Sequence, residues 1–307
     1  KANSVFVESN YGYIATTSNS QEIQILDLTQ YSDPPTNLTF KLVGWFNAPG
    51  NEQGDSVYVA NNTGYMSDGN KFYTFDMSSH TGSRPHLNTG TSWSLAETGK
   101  KVITIGNYAY VATSSTTTQL QIIDVSNPSN PTIVASGQTG NGQAGVDLSV
   151  NSTGTRVYLV TTYTSGQPDF FIFDTSIKSG TLNPVGSGFN TNGMNPKGVA
   201  ISTGNRAVIV GTGWAQQYQV LNIASELSPN LCAGLTITNG VNAVSTVLQA
   251  DGYAYSYIVT GDANAELKLI LGGAGGQYST SGTFTSNFFD AGATVAFNRV
   301  ILNFVQP

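Results

Sequence analysis

The chain has 307 residues, 39% hydrophobic and only 10% charged, with a formal net charge of −6 at pH 7. That apolar content can build a packed core, which excludes a disordered chain. The acidic balance gives no overall field that would draw it to a phosphate backbone or an anionic lipid surface, so no nucleic-acid partner is expected. The single cysteine, Cys232, excludes an intrachain disulfide and a cysteine zinc cluster. It lies in the apolar run "NLCAGLTIT" with no basic neighbour, so a buried, inert thiol is expected.

The predicted elements repeat along the chain. The first unit reads as four strands, "SVFVES", "YGYIATT", "IQILDLT" closing on Asp27, and "FKLVGWF". The second runs "SVYVAN", "TGYMSDG", "FYTFDMS" with Asp76, and "TSWSLA"; the third runs "KVITIG", "YAYVATS", "LQIIDVS" with Asp124, and "TIVASGQ". The fourth is "VDLSVN", "RVYLVTT", "FFIFDTS" with Asp174, and "NPVGSGF"; the fifth is "VAISTG", "RAVIVGT", "YQVLNIA" with Asn222, and "CAGLTIT". In the sixth, "VSTVLQ", "YAYSYIV" and "LKLILGG" place Leu271 where the aspartate stood, and "QYSTSGTFTS" follows. Successive third-strand ends are 49, 48, 50, 48 and 49 residues apart.

An even period of this length, with short strands and no sustained 3.6-residue pattern, predicts an all-β repeat fold. Four strands per unit predict a six-bladed β-propeller of four-stranded antiparallel blades. Runs such as "LQIID" and "VYLV" suit strands covered on both faces by neighbouring blades. The aspartate ending each third strand is expected to accept backbone N–H groups of the next turn, and "SNPSNP" to pin that turn. The predicted blades span residues 3–50, 55–98, 100–142, 145–194, 197–240 and 243–290 within a domain of residues 1–290. Residues 291–307 are expected to be an extra strand, a short C-terminal β extension or the opening of a following domain.

"GNYAYVAT" with "LQIIDVSNPSNPTIVASG" resembles the LVIVD repeat, a propeller-type repeat of bacterial and archaeal surface and secreted proteins. The third unit matches best, the first and fourth well, and the sixth lacks the aspartate. The resemblance implies a propeller in an extracytoplasmic setting and no shared reaction. The polar, low-charge composition suits the same extracellular or cell-surface location. No apolar run approaches the roughly 20 residues of a membrane helix, so no direct membrane insertion is expected. "KANSVFVESN" reads as a strand and not a signal peptide, so the sequence is expected to be part of a longer chain.

No catalytic signature is present. His80 and His86 lie in "SSHTGSRPHLN", a spacing that fits no zinc motif, and a solvated loop is expected there. "GGAGGQ" follows a strand but opens no helix, and so reads as a turn. "SDGN" and "TGDANAE" lack the calcium-loop register and read as Asx turns; no metal and no cofactor are expected. Recognition is expected at one mouth of the channel. The turns into the innermost strands carry Asp55, Lys101, Asp147 and Lys197 there, and the loops between second and third strands carry Asp68, Tyr163, Trp214 and Gln217. Aromatic rings beside amides suit stacking on sugar rings or peptide side chains. The expected role is a non-catalytic binding or adhesion module whose partner is a glycan or a protein on a surface. The alternatives are a glycan hydrolase or lyase, using Asp55, Asp147, Lys101 or Lys197 in the channel, and a spacer in a surface filament.

Overall fold

The computed structural model describes residues 1–32, 39–51, 53–88, 93–202, 205–213, 216–248 and 253–272, and these are all-β, with no helix. The first sheet holds β1 (Ala2–Glu8), β2 (Tyr11–Thr16), β3 (Ile23–Ser32) and β4 (Thr39–Phe46). The second holds β5 (Gly54–Ala60), β6 (Thr63–Asp68) and β7 (Lys71–Asp76); from it the chain crosses back to lay β8 (Gly82–Arg84) along β4, before β9 (Trp93–Ser94) returns to β7. The third holds β10 (Gly99–Ile105), β11 (Tyr108–Thr113), β12 (Leu120–Asp124) and β13 (Thr132–Gly137). The fourth holds β14 (Gly145–Val150), β15 (Arg156–Thr161) and β16 (Phe170–Asp174), after which β17 (Gly180–Leu182) pairs in parallel with β13. The fifth holds β18 (Met194–Ser202), β19 (Arg206–Gly213), β20 (Tyr218–Asn222) and β21 (Asn230–Leu235). The sixth holds β22 (Val241–Leu248), β23 (Ala254–Thr260) and β24 (Leu267–Gly272).

The all-β reading and the repeated sheet hold, but the strand count does not. In chain order the sheets have 5, 4, 5, 3, 4 and 3 strands among the described residues. "NPVGSGF" is no fourth strand; it makes only the isolated bridges Phe173 with Pro184 and Phe170 with Phe189. The histidine segment is no solvated loop either. His80 stacks on Tyr11 with ring centroids 3.8 Å apart, and His86 shares a hydrogen bond with Asn88. The expected strand "QYSTSGTFTS" and the C-terminal extension at 291–307 lie outside the described residues.

The turn after each third strand forms as read. Asp27, Asp76, Asp124 and Asp174 accept the backbone N–H of Thr29, Ser78, Ser126 and Ser176 at 2.8–2.9 Å, and Asn222 Oδ1 accepts that of Ala224 at 3.0 Å. Because Asn222 serves equally well, Asp124→Asn should leave stability unchanged, whereas Asp124→Ala should cost about 1 kcal/mol in urea unfolding.

The core is a series of five apolar clusters, one between each successive pair of sheets. Between the first two sheets, Tyr13, Ala15, Ile23 and Ile25 meet Val57, Val59, Met66, Tyr73 and Phe75. Between the third and fourth, Tyr110, Ala112, Leu120 and Ile122 meet Leu148, Val157, Leu159, Phe171 and Phe173. Tyr110 adds a hydrogen bond from its hydroxyl to the Gly154 carbonyl, 2.8 Å away in the next sheet. Each sheet therefore offers one set of alternate residues forward and the other set back, and both sets are apolar. This is why the central strands read as unbroken hydrophobic runs. The first strands of consecutive sheets lie side by side, but among the described residues no extensive contact joins β22 to β1, so the described strands by themselves do not close a ring.

Cys232 is exposed, contrary to the expectation from its apolar neighbours. Among the described residues its strand, β21, is the outermost of its sheet, and its side chains are exposed or half-buried.

Candidate functional site

Each first strand carries a β-bulge in its first half. The register slips at Asn3, Asp55, Lys100, Val146, Lys197 and Asn242, which are equivalent positions of the six repeats. A bulge re-aims the chain where strand pairing ends. Glycine precedes the bulge in three sheets because the neighbouring sheet is too close for a side chain. A Cβ on Gly145 would stand 2.5 Å from the Thr113 carbonyl oxygen, and one on Gly54 would stand 2.7 Å from that of Glu22. Gly145→Val should therefore destabilise the protein by about 1–3 kcal/mol or more, read as an earlier urea midpoint.

The residue after the bulge reaches the next sheet. Ser56 Oγ accepts the Val102 N–H at 3.1 Å, and Asp147 Oδ2 accepts the Val199 N–H at 2.9 Å. Lys101 occupies the same repeat position in the sheet before Asp147. Burial raises the Asp147 carboxyl above its usual range, while the Lys101 charge and the N–H groups of Val199 and Leu148 pull it back. The four inner-strand residues singled out from the sequence thus divide into two rings, Asp55 with Lys197 on the bulge and Lys101 with Asp147 one step further in.

Other expected contact residues have work inside the fold. Asp55 Oδ2 accepts the Gly69 N–H at 2.9 Å, and buried Asp68 Oδ1 accepts the Gln53 N–H at 3.0 Å; together they tie the start of β5 to the turn after β6. Gln217, buried, accepts the Ile237 N–H at 2.8 Å and donates to the Gly213 carbonyl at 2.7 Å. Tyr163 and Lys197 are exposed, Lys101 is half-buried, and Trp214 lies outside the described residues. At "TGDANAE", Asp262 forms an Asx turn by accepting the Asn264 N–H at 3.1 Å, and it pairs with Lys268 at 3.0 Å. Among the described residues no group of His, Cys, Asp and Glu is placed to hold a metal ion.

One position escaped the sequence reading as a repeat, although its fifth-unit member, Gln217, was among the expected contact residues. Glu22, Gln119, Asp169 and Gln217 stand immediately before their third strands. Each is buried and accepts the N–H of the second residue after the fourth-strand segment: Ala48 at 3.0 Å, Thr139 at 3.0 Å, Thr191 at 2.9 Å and Ile237 at 2.8 Å. These bonds hold the loops that lead into the next bulge, and so set the shape of the rim. The signal was a polar residue five places before each aspartate or Asn222, at the head of an otherwise apolar run.

Comparison with known proteins agrees with this architecture. The family described as the LVIVD repeat matches residues 1–42 and 99–139. No curated protein matches the sequence. The β-propeller domain of Cps50 (Swd1) from Myceliophteria thermophila superposes with a TM-score of 0.57 at 9% identity, over 89% of this chain and 83% of that one. The WD40 β-propeller domain of Doa1 gives 0.53 at 10% identity, over 88% and 82%. An extracellular domain described as that of hybrid two component system BT4673 from B. thetaiotaomicron gives 0.54 at 13% identity, over 92% of this chain and 33% of that one. At such identities the likeness speaks for the fold alone.

Proposed function

Because this chain carries LVIVD repeats in a propeller-type β fold, we propose that it is a non-catalytic extracellular binding or adhesion module that takes its ligand on the rim formed by the first-strand bulges. The observation that carries this reading is the side-by-side placement of β10, β14 and β18. Lys101, Asp147 and Lys197 belong to those three adjacent strands, which supports a rim of mixed charge. Rigid strands position those groups, while Tyr163 on its loop offers an exposed ring. A surface of that kind suits polar and stacking contacts with a glycan or a protein segment.

The shifted carboxyl of Asp147 is what favours a glycan-active enzyme instead. That chemistry needs a second carboxylate roughly 5–10 Å away. Asp55, the other acid of the rim, sits two sheets from Asp147 and has one oxygen on the Gly69 amide, so binding is the better-supported reading.

Screening the protein on glycan and peptide arrays tests the proposal. A defined set of ligands should bind, and Lys197→Glu and Tyr163→Ala should each lower the signal about tenfold or more, equivalent to about 1.4 kcal/mol. Binding that is unaffected by both substitutions would move the site elsewhere. Release of shortened glycan products, abolished by Asp147→Asn, would establish the enzyme reading.

A further inference from the structure

The six sheets offer twelve faces, of which ten are buried in the five clusters. The two left over are the forward face of the sixth sheet and the backward face of the first. Strand register identifies them residue by residue. Tyr257 pairs with Leu269, and Val259 with Leu267, at the positions held by Tyr110 with Ile122, and Ala112 with Leu120, in the third sheet. The third-sheet residues are all fully buried, whereas Tyr257, Leu269, Val259 and Leu267 are 37%, 43%, 45% and 67% exposed. In the first sheet, Val5 and Val7 hold the positions of Val57 and Val59; the former are 64% and 55% exposed, the latter 2% each. The exposed residues of both faces keep the residue types of a built interface. Contiguous exposed apolar faces mark association sites.

We infer that these faces form a head-to-tail interface between two copies of this chain, the sixth sheet of one seated on the first sheet of the next. The occupant follows from continuity with the five internal interfaces. In each of them a forward face of the Tyr257 type packs on a backward face of the Val5 type. Among the described residues, the first sheet is the surface with that backward pattern still open, and β1 and β22 make no extensive contact. Such a contact is heterologous, so it extends or closes into a larger ring according to the rotation between copies. It is separate from the bulge rim and does not depend on the rim's ligand.

Sedimentation velocity on the whole chain, over a wide concentration range, tests this. The wild type should shift to larger species as concentration rises, with no dissociation by added sodium chloride, since neither face relies on charge. Leu269→Lys on the forward face and Val5→Lys on the backward face should each give monomers. An equimolar mixture of the two variants should give dimers and nothing larger, because one intact face of each kind remains. Unchanged circular dichroism and melting temperature would show that both variants are folded; otherwise Tyr257→Glu and Val7→Lys take their place. A wild type that stays monomeric throughout would show the faces covered within one chain and overturn the proposal. Self-association that survives both substitutions, or a mixture that stays monomeric, would also overturn it.

Discussion

Asp169→Asn should raise stability at pH 7 by up to about 3 kcal/mol and remove this group's contribution to the pH dependence of unfolding between pH 4 and 7. Asp169 is fully buried, with Oδ1 accepting the Thr191 N–H and Oδ2 accepting the Thr191 hydroxyl at 2.6 Å. Those bonds favour the carboxylate, but burial outweighs them and lifts the pKa from 3.8 to about 6. For an acid whose pKa is higher in the folded state, the folded state holds its proton more tightly. Stability from this group is then fully present below pH 3.8 and falls as the pH rises to about 6. Asparagine removes the charge and keeps an acceptor for the Thr191 N–H. Its amide can donate to the Thr191 hydroxyl, which already bonds the Met194 carbonyl at 3.2 Å. Gln119 and Gln217 show that an amide serves at this repeat position. Urea unfolding of both proteins from pH 4 to 7 measures the effect; parallel curves would show that Asp169 does not titrate in this window.

Phe173→Ala should cost about 3–5 kcal/mol. Phe173 is fully buried in the cluster between the third and fourth sheets, against a neighbourhood already tight enough that a Cβ on Gly137 would come within 3.0 Å of its ring. Rigid strands on both sides cannot collapse into the space left, so the loss includes a cavity as well as the transfer of the ring. Leu231→Ala, on exposed β21, is the control and should change stability by less than about 0.5 kcal/mol. Chemical denaturation followed by tryptophan fluorescence checks both, and equal effects would contradict the assignment of the core to the inter-sheet clusters.

What the sequence made legible was whatever repeats with a physical reason. Asp27, Asp76, Asp124 and Asp174 mark turns that need a side-chain acceptor, and their spacing marks the sheets. The apolar second and third strands are legible because two neighbours cover them. The outer strands are not. β8 and β17 are three-residue segments, "GSR" and "GTL", with no alternation to read, and their pairing depends on close backbone approach across sheets. Such an approach is visible where a Cβ on Gly44 would stand 2.4 Å from the His80 carbonyl oxygen. Cys232 misled for the same reason, since apolar neighbours predict burial only when another layer lies on top, and β21 has none among the described residues. At the rim, charge at the bulges was readable, but the diversion of Asp55, Asp68 and Gln217 into internal hydrogen bonds was not, because their backbone partners lie across turns and neighbouring strands.

The account rests on radial rather than linear packing of the sheets, and distances between equivalent turns test that most directly. With Cys232 replaced by serine, spin labels at Thr29 paired in turn with Ser78, Ser126, Ser176 and Ala224 report the separation of the first sheet from the next four. A curved arrangement predicts that the distance rises at first and then levels off, so that the Thr29 to Ala224 separation is close to that from Thr29 to Ser176. A separation that grows by equal steps to the last pair would describe a straight stack and contradict the account.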